Sequence, residues 1–248
     1  MINPPPSTAE PLLAGRSIHK WFGRLHVLDA VEFSVEAGQS VGIVGPNGAG
    51  KTTLLDVLAG AQAPTDGTVT FRGSDVTRTN VARRCRMGIG RTHQVPRPFT
   101  GMTVFENVYV GATAGGGLHG AAANERCLEV LGLTGLLPLS NRRAMSLGLL
   151  HRKRLELARA LAARPDVLLL DEIGAGLTDA EAEELLESIQ RLRESGTTIV
   201  WIEHIVHVLV RAIDRLVCMD AGKVIADGSP AEVLQDARVI DAYLGRRE

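Results

Sequence analysis

Three observations predict an α/β fold organised around a phosphate-binding loop. Gly45-Pro46-Asn47-Gly48-Ala49-Gly50-Lys51-Thr52-Thr53 matches the pattern G-x-x-x-x-G-K-[ST]. The loop joins an apolar run of strand character, Val41 to Val44, to Leu54, Leu55 and Leu58, which recur at helical spacing. Further on, Val167-Leu168-Leu169-Leu170 is apolar throughout and too short for a helix, so it reads as a buried parallel strand.

The chemistry comes from the loop. Its glycines let the backbone curl so that successive N–H groups face an anion, and the helix N-terminus reinforces them. Gly45 to Thr53 is therefore expected to cradle nucleotide phosphates, with Lys51 reaching the β- and γ-phosphates and Thr52 holding Mg²⁺. At the carboxyl end of the buried strand stand Asp171 and Glu172, where open α/β sheets place ligand-binding groups. Two such carboxylates can simply cap the next element of the chain; beside a phosphate loop they read as a Mg²⁺ ligand, Asp171, and a group that orients or deprotonates water, Glu172.

Composition bounds the rest. A chain of 248 residues with 45% apolar content fills one large domain or two modest ones. Lys and Arg (27) nearly balance Asp and Glu (28), a formal net charge of -1, so no global basic field invites nucleic acid, which is not expected as a partner. Cys85, Cys127 and Cys218 are scattered and odd in number, which argues against a disulfide framework and fits a reducing cytoplasm. Residues 1–10, with Pro4-Pro5-Pro6 and no charged-then-apolar pattern, read as a loose tail rather than an export signal. No apolar run approaches the roughly 20 residues of a spanning helix, so any work at a membrane is done from outside the bilayer.

Taken in order, Ile18 to Val35 mixes apolar and polar residues without helical period, as antiparallel strands do. Phe22 and Trp21 compete there as an aromatic that could stack on adenine; local sequence alone favours an ordinary strand aromatic. Gly60 caps the loop helix, and Pro64-Thr65-Asp66-Gly67 turns into a strand over 68–71. Gln94 precedes Val95-Pro96-Arg97-Pro98, a constrained loop, and could bind metal or water or simply solvate it. Thr103 and Glu106 form a capping box opening a helix, which Gly115-Gly116-Gly117 and Gly120 interrupt before a second helix over about 122–131. Residues of about 95–165 thus form a helical insert, closed by a helix over 155–163 that Pro165 stops.

Thr178 and Glu181 form another capping box, and Ala182, Leu185, Leu186, Ile189 and Leu192 share one face of a helix that Gly196 ends. The apolar strand 197–202 delivers Glu203 and His204. His204 and His207 lack the further ligands of a zinc site, and a polar contact from His204 to a terminal phosphate is the better functional reading. Residues 216–219 and 224–226 flank a hairpin turn, and Ser229-Pro230-Ala231-Glu232 opens a short helix.

These signals, in this order and spacing, resemble the ATP-binding subunits of ABC transporters over essentially the full length. The resemblance implies that Gln94 is the Q-loop glutamine touching Mg²⁺ and the membrane partner, Asp171 and Glu172 the Walker B pair, His204 the switch histidine, and Phe22 the adenine-stacking aromatic. Arg91-Thr92-His93-Gln94, Arg154-Leu155-Glu156-Leu157-Ala158-Arg159-Ala160-Leu161 and the closing Val239-Ile240-Asp241-Ala242-Tyr243-Leu244-Gly245 are similar to the branch serving branched-chain amino-acid uptake. The departures are Met145-Ser146-Leu147-Gly148-Leu149 in place of the usual signature loop, Thr178 for a frequent aspartate, and His93 for phenylalanine. Residue type puts the phosphate-contacting serine of the signature loop at Ser146, whereas counting back from Arg159 points to Gly148, with Leu147 between them.

The expectation is an ABC ATPase over 11–248, with an antiparallel β portion and the helical insert. Two subunits, identical or different, would sandwich Mg-ATP, with Glu172, His204 and Lys51 catalytic. The resemblance also implies integral membrane permease subunits as partners, a solute-binding protein indirectly, and a place at the cytoplasmic face of the inner or plasma membrane. Importers of urea, amides or other small acids, and the ATPases of lipid-export complexes, share much of this pattern.

Overall fold

The computed structural model describes residues 10–244, in which ten strands form two sheets. The tail predicted over 1–10 lies, but for Glu10, outside the described residues, as does Gly245. β1 (Leu13–Phe22), β2 (Leu25–Val35), β4 (Asp66–Phe71) and β5 (Ser74–Asp75) make an antiparallel sheet in the order β2-β1-β4-β5. The second sheet runs β10-β9-β3-β8-β7-β6, from β3 (Ser40–Val44), β6 (Ile89–Arg91), β7 (Val167–Asp171), β8 (Thr198–Ile202), β9 (Arg215–Asp220) and β10 (Lys223–Gly228). Its neighbours are parallel except the β9–β10 hairpin.

Strand periodicity shows why the central strands are apolar throughout. On β7, Leu168 and Leu170 join one core while Val167 and Leu169 join another; on β8, Ile199 and Trp201 part from Val200 and Ile202 in the same way. Successive side chains point to opposite faces, so both faces are covered. One face meets α1 (Lys51–Ala59) and the antiparallel sheet. The other meets α3 (Val104–Val110), α4 (Gly120–Leu133), α5 (Leu149–Ala162) and α6 (Asp179–Glu194). Each leucine so buried contributes about 1.5–3 kcal/mol.

The capping boxes expected at Thr103/Glu106 and Thr178/Glu181 form, and Ser229/Glu232 makes a further one that opens α8 (Pro230–Gln235) ahead of α9 (Ala237–Leu244). Gly60 ends α1 with φ 78°. Three local expectations need correction. The helix predicted over 155–163 begins at Leu149, because Gly148 takes the N-cap and a polar run from His151 to Arg154 hides the period of its first turns. The glycines after α3 do not loosen the chain at once: residues 111–115 continue it as a π-turn, with Gly111 packed so closely that a Cβ would lie 2.5 Å from the Arg159 carbonyl oxygen. A helix over Val81–Met87, α2, was not expected; Asn80 caps it, and Arg84 is fully buried, donating to the carbonyls of Val57, Leu58, Val76, Thr77 and Thr79. Its short length and three arginines carry no amphipathic signal. α7 (Val206–Leu209) completes the α-helices of the described residues, and no helix there is long and apolar enough to cross a membrane.

Candidate active site

The parallel strands end side by side, so residues distant in the chain meet at one edge of the sheet. β3 runs into Gly45, β6 into the segment ending at Gln94, β7 ends on Asp171 with Glu172 next, and β8 leads to Glu203 and His204. The neighbours in the sheet are β3, β8, β7 and β6, which places all four ends together.

The phosphate loop depends on glycine at its tightest points. Gly45 has φ 145°, and a Cβ there would stand 2.0 Å from the Met219 carbonyl oxygen. Gly50, at φ 96°, packs against the Val27 carbonyl. Gly45→Ala is therefore expected to shift the loop, add about 1–3 kcal/mol of backbone strain, and abolish nucleotide binding in a fluorescent-nucleotide titration. Wild-type affinity in that variant would contradict the packing argument.

Lys51 is buried, and its Nζ donates to the carbonyls of Gly45 (2.7 Å) and Pro46 (3.0 Å). Burial lowers its pKa, against the pull of Glu172 and Asp171. Thr52 Oγ1 donates to Asp171 Oδ1 at 3.3 Å, and Arg91 donates to Asp171 Oδ2 at 3.2 Å while its other arm holds Asp56 on α1. Burial raises the Asp171 pKa, and the Arg91 guanidinium opposes it. Two oxygens, from Thr52 and Asp171, thus face each other beside the phosphate loop, the hard donors that Mg²⁺ takes.

Glu172 sits at φ 45°, a left-handed conformation that a non-glycine residue rarely adopts, held by its N–H bond to the Ile202 carbonyl (2.9 Å). Its carboxylate accepts from His204 Nε2 at 2.7 Å and from Gln94 Nε2 at 2.5 Å. Since a carboxylate only accepts, His204 carries its proton on Nε2. The structure therefore brings together Lys51, Thr52, Gln94, Asp171, Glu172 and His204. The pocket over the loop is lined by Leu25, Val27, Asn47, Lys51, Thr52 and Glu172, among others.

Other predicted residues stand apart. Phe22 and Trp21 are exposed at the end of β1 and outside that lining; Lys20 Nζ lies 5.0 Å over the Phe22 ring, and Trp21 stacks on His26 at 3.9 Å. Ser146 ends a 3-10 turn, its Oγ donating to the Arg143 carbonyl (2.8 Å); Leu147 is buried, and Gly148 is the N-cap of α5. None of these three lines this chain's own pocket.

A family model described as ABC transporter matches residues 28–175. The chain belongs to the ABC transporter ATP-binding family. A second model, described as branched-chain amino acid ATP-binding cassette transporter, matches residues 223–248. The ABC ATPase is 36% identical over 252 residues to the high-affinity branched-chain amino acid transport ATP-binding protein LivG of Salmonella typhimurium, covering 96% of this chain and 99% of that protein. It superposes on the ADP conformation of an ATP-binding cassette of an ABC transporter with TM-score 0.85 at 31% identity, covering 96% of this chain and all of that one (100%). A dimeric post-hydrolysis cassette bound to ADP and Pi matches with TM-score 0.79 at 25% identity, covering 88% of this chain and 98% of that one. The predicted fold, ATP binding and ATPase activity therefore hold for this chain.

The structure also adds residues that sequence reasoning missed in the ABC ATPase. Glu203 is buried and accepts the N–H of Gly174 (2.5 Å) on Oε1 and that of His204 (3.1 Å) on Oε2, tying the loop after Glu172 to the histidine. Lys153 of α5 is buried, with Nζ 3.3 Å from the Glu172 carbonyl oxygen and 3.5 Å from that of Gln94. Burial lowers its pKa. Tyr243, on α9, accepts the Gly45 N–H at 2.8 Å. The only local signal was a charge directly after a core strand, Glu203; Lys153 falls in a run of basic residues and Tyr243 lies far along the chain.

Proposed function

We propose that the chain is the ATP-hydrolysing subunit of an importer of branched-chain or related hydrophobic amino acids. The likeness to LivG over nearly the whole of both chains carries this reading, and the match of residues 223–248 to a branched-chain amino acid family supports it. Lys51 and the loop N–H groups hold the phosphates, Glu172 orients the attacking water, and His204 positions Glu172 and faces the terminal phosphate. Thr52 and Asp171 would hold Mg²⁺ with Gln94 nearby; when bound, that ion neutralises charge on the transferring phosphoryl group. One of the two aromatics, Phe22 or Trp21, stacks on adenine.

The site is completed by a second ABC ATPase subunit, whose Ser146–Gly148 segment closes over the nucleotide. That segment stands outside the lining of its own chain's pocket, which supports this arrangement. The helical insert over about 95–165 docks on permease subunits at the cytoplasmic face of the membrane. A groove beside the Gln94 loop, lined by Arg91, Arg97, Val110, Glu156 and Arg159 among others, supports that docking. A solute-binding protein delivers the solute to the permease.

Tagged Glu172→Gln protein loaded with Mg-ATP, captured from detergent-solubilised host membranes, is expected to bring down permeases of the branched-chain type. Recovery of export components instead would overturn the importer reading.

A further inference from the structure

The β1–β2 hairpin carries a cluster that nucleotide hydrolysis does not use. His19 on β1 and His26 and Asp29 on β2 bring three ligand atoms together: His19 Nδ1 is 3.3 Å from His26 Nε2 and 3.6 Å from Asp29 Oδ1, and His26 Nε2 is 3.9 Å from Asp29 Oδ1. A tetrahedral ion with bonds of about 2.0–2.1 Å separates its ligands by about 3.4 Å. The three atoms thus already approximate one face of a tetrahedron. We propose that His19, His26 and Asp29 form a binding site for a first-row divalent transition ion, zinc above all, with a fourth position open to water.

Backbone geometry builds the cluster. Register shifts on β1 between Ile18 and Lys20 and between Lys20 and Trp21, with Ala30 at φ 50°, turn alternate side chains of the two strands toward one point. The two imidazoles are nearly coplanar in direction, 13° apart with centroids separated by 5.5 Å, so that their nitrogens face each other edge to edge rather than face to face. Trp21 covers them, parallel to His26 within 5° and to His19 within 9°. The surroundings also choose protonation and orientation. The Ala30 N–H donates to His19 Nδ1 at 3.3 Å, which selects the tautomer with no proton on Nδ1; an ion bound to that nitrogen would displace this hydrogen bond. Lys223 Nζ holds the other carboxylate oxygen, Asp29 Oδ2, at 3.0 Å and leaves Oδ1 turned to the histidines.

The three residues are each about a quarter to a third exposed, so an ion can enter from solvent. Two imidazoles and one carboxylate suit zinc, cobalt, nickel or copper; Mg²⁺ prefers oxygen ligands and octahedral geometry, so the ion that accompanies ATP does not compete. Bound there, zinc would clamp the hairpin that supplies Leu25 and Val27 to the nucleotide pocket.

The test is titration of chelator-stripped full-length protein with cobalt alone. One equivalent is expected to produce the visible absorption of tetrahedral cobalt, which zinc then bleaches. His26→Gln and Asp29→Asn, made separately so that one folding failure leaves the other, are each expected to weaken cobalt binding at least about tenfold. Zinc should raise the melting temperature of the wild type and leave that of a folded variant unchanged. A wild-type protein without cobalt absorption, or absorption that survives in a folded variant, would overturn the site.

Discussion

Glu172→Gln protein is expected to hydrolyse ATP about 10²–10³ times more slowly than the wild type while keeping its affinity for the nucleotide. The carboxylate lines the pocket over the loop from just past the end of β7, where Gln94 donates to one oxygen and His204 to the other. Glutamine keeps the size of the side chain and one acceptor oxygen, so the pocket keeps its shape. It loses the negative charge that orients and polarises water and one of the two bonds that aim the group. The left-handed backbone at this residue, φ 45°, shows that the fold spends free energy to hold it in place. Phosphate release under saturating Mg-ATP and equilibrium binding of a fluorescent ATP analogue measure the two halves of the prediction. Turnover near the wild-type rate would remove Glu172 from its proposed role.

Glu203→Gln should damage both stability and turnover, because the buried carboxylate of Glu203 serves two donors at once. Its two oxygens accept separate N–H groups, from Gly174 and His204. An amide has a single oxygen, so its NH₂ would face one of those donors and leave a buried N–H unpaired, at about 1–3 kcal/mol. Burial raises the Glu203 pKa, and its two N–H partners oppose that shift together with the charge of Lys153, so the native group already carries a desolvation cost that these bonds help to offset. Thermal melts should show a loss of several degrees. With the His204 backbone released, the histidine no longer aims at Glu172, and hydrolysis is expected to fall about 10- to 100-fold with ATP affinity little changed. A variant that melts and turns over like the wild type would show that Glu203 is not what positions His204.

The two residues were legible to different degrees. Glu172 comes directly after a buried strand and pairs with a phosphate loop, so its chemistry could be argued from residue type and spacing. Glu203 also stands directly after a buried strand, yet nothing local distinguishes a carboxylate that binds solvent from one that accepts two backbone N–H groups across a sheet. Gln94 was recognisable only through the family pattern, since a loop glutamine carries no chemistry until its partner is known; the place of His204 after a core strand suggested a phosphate contact, and only the fold gave its bond to Glu172. The trio His19, His26 and Asp29 left no signal at all: its spacing resembles no ligand pattern, and strand register with local bulges brings the atoms together.

Local rules determined what the sequence alone could determine: the phosphate loop, two capping boxes, the all-apolar strands and the α/β class come from φ preferences, side-chain hydrogen bonds to the next turn and hydrophobic period, each acting within a few residues. Tertiary structure decided the rest. Whether Thr52 meets Asp171, whether Glu172 lies between Gln94 and His204, and whether Tyr243 reaches the first glycine of the loop depend on the strand order β3-β8-β7-β6 and on α9 packing back toward β3. Those contacts join segments far apart in the chain, and their geometry is set by which strands pair and in what register, a property of the folded sheet that no short stretch of sequence encodes.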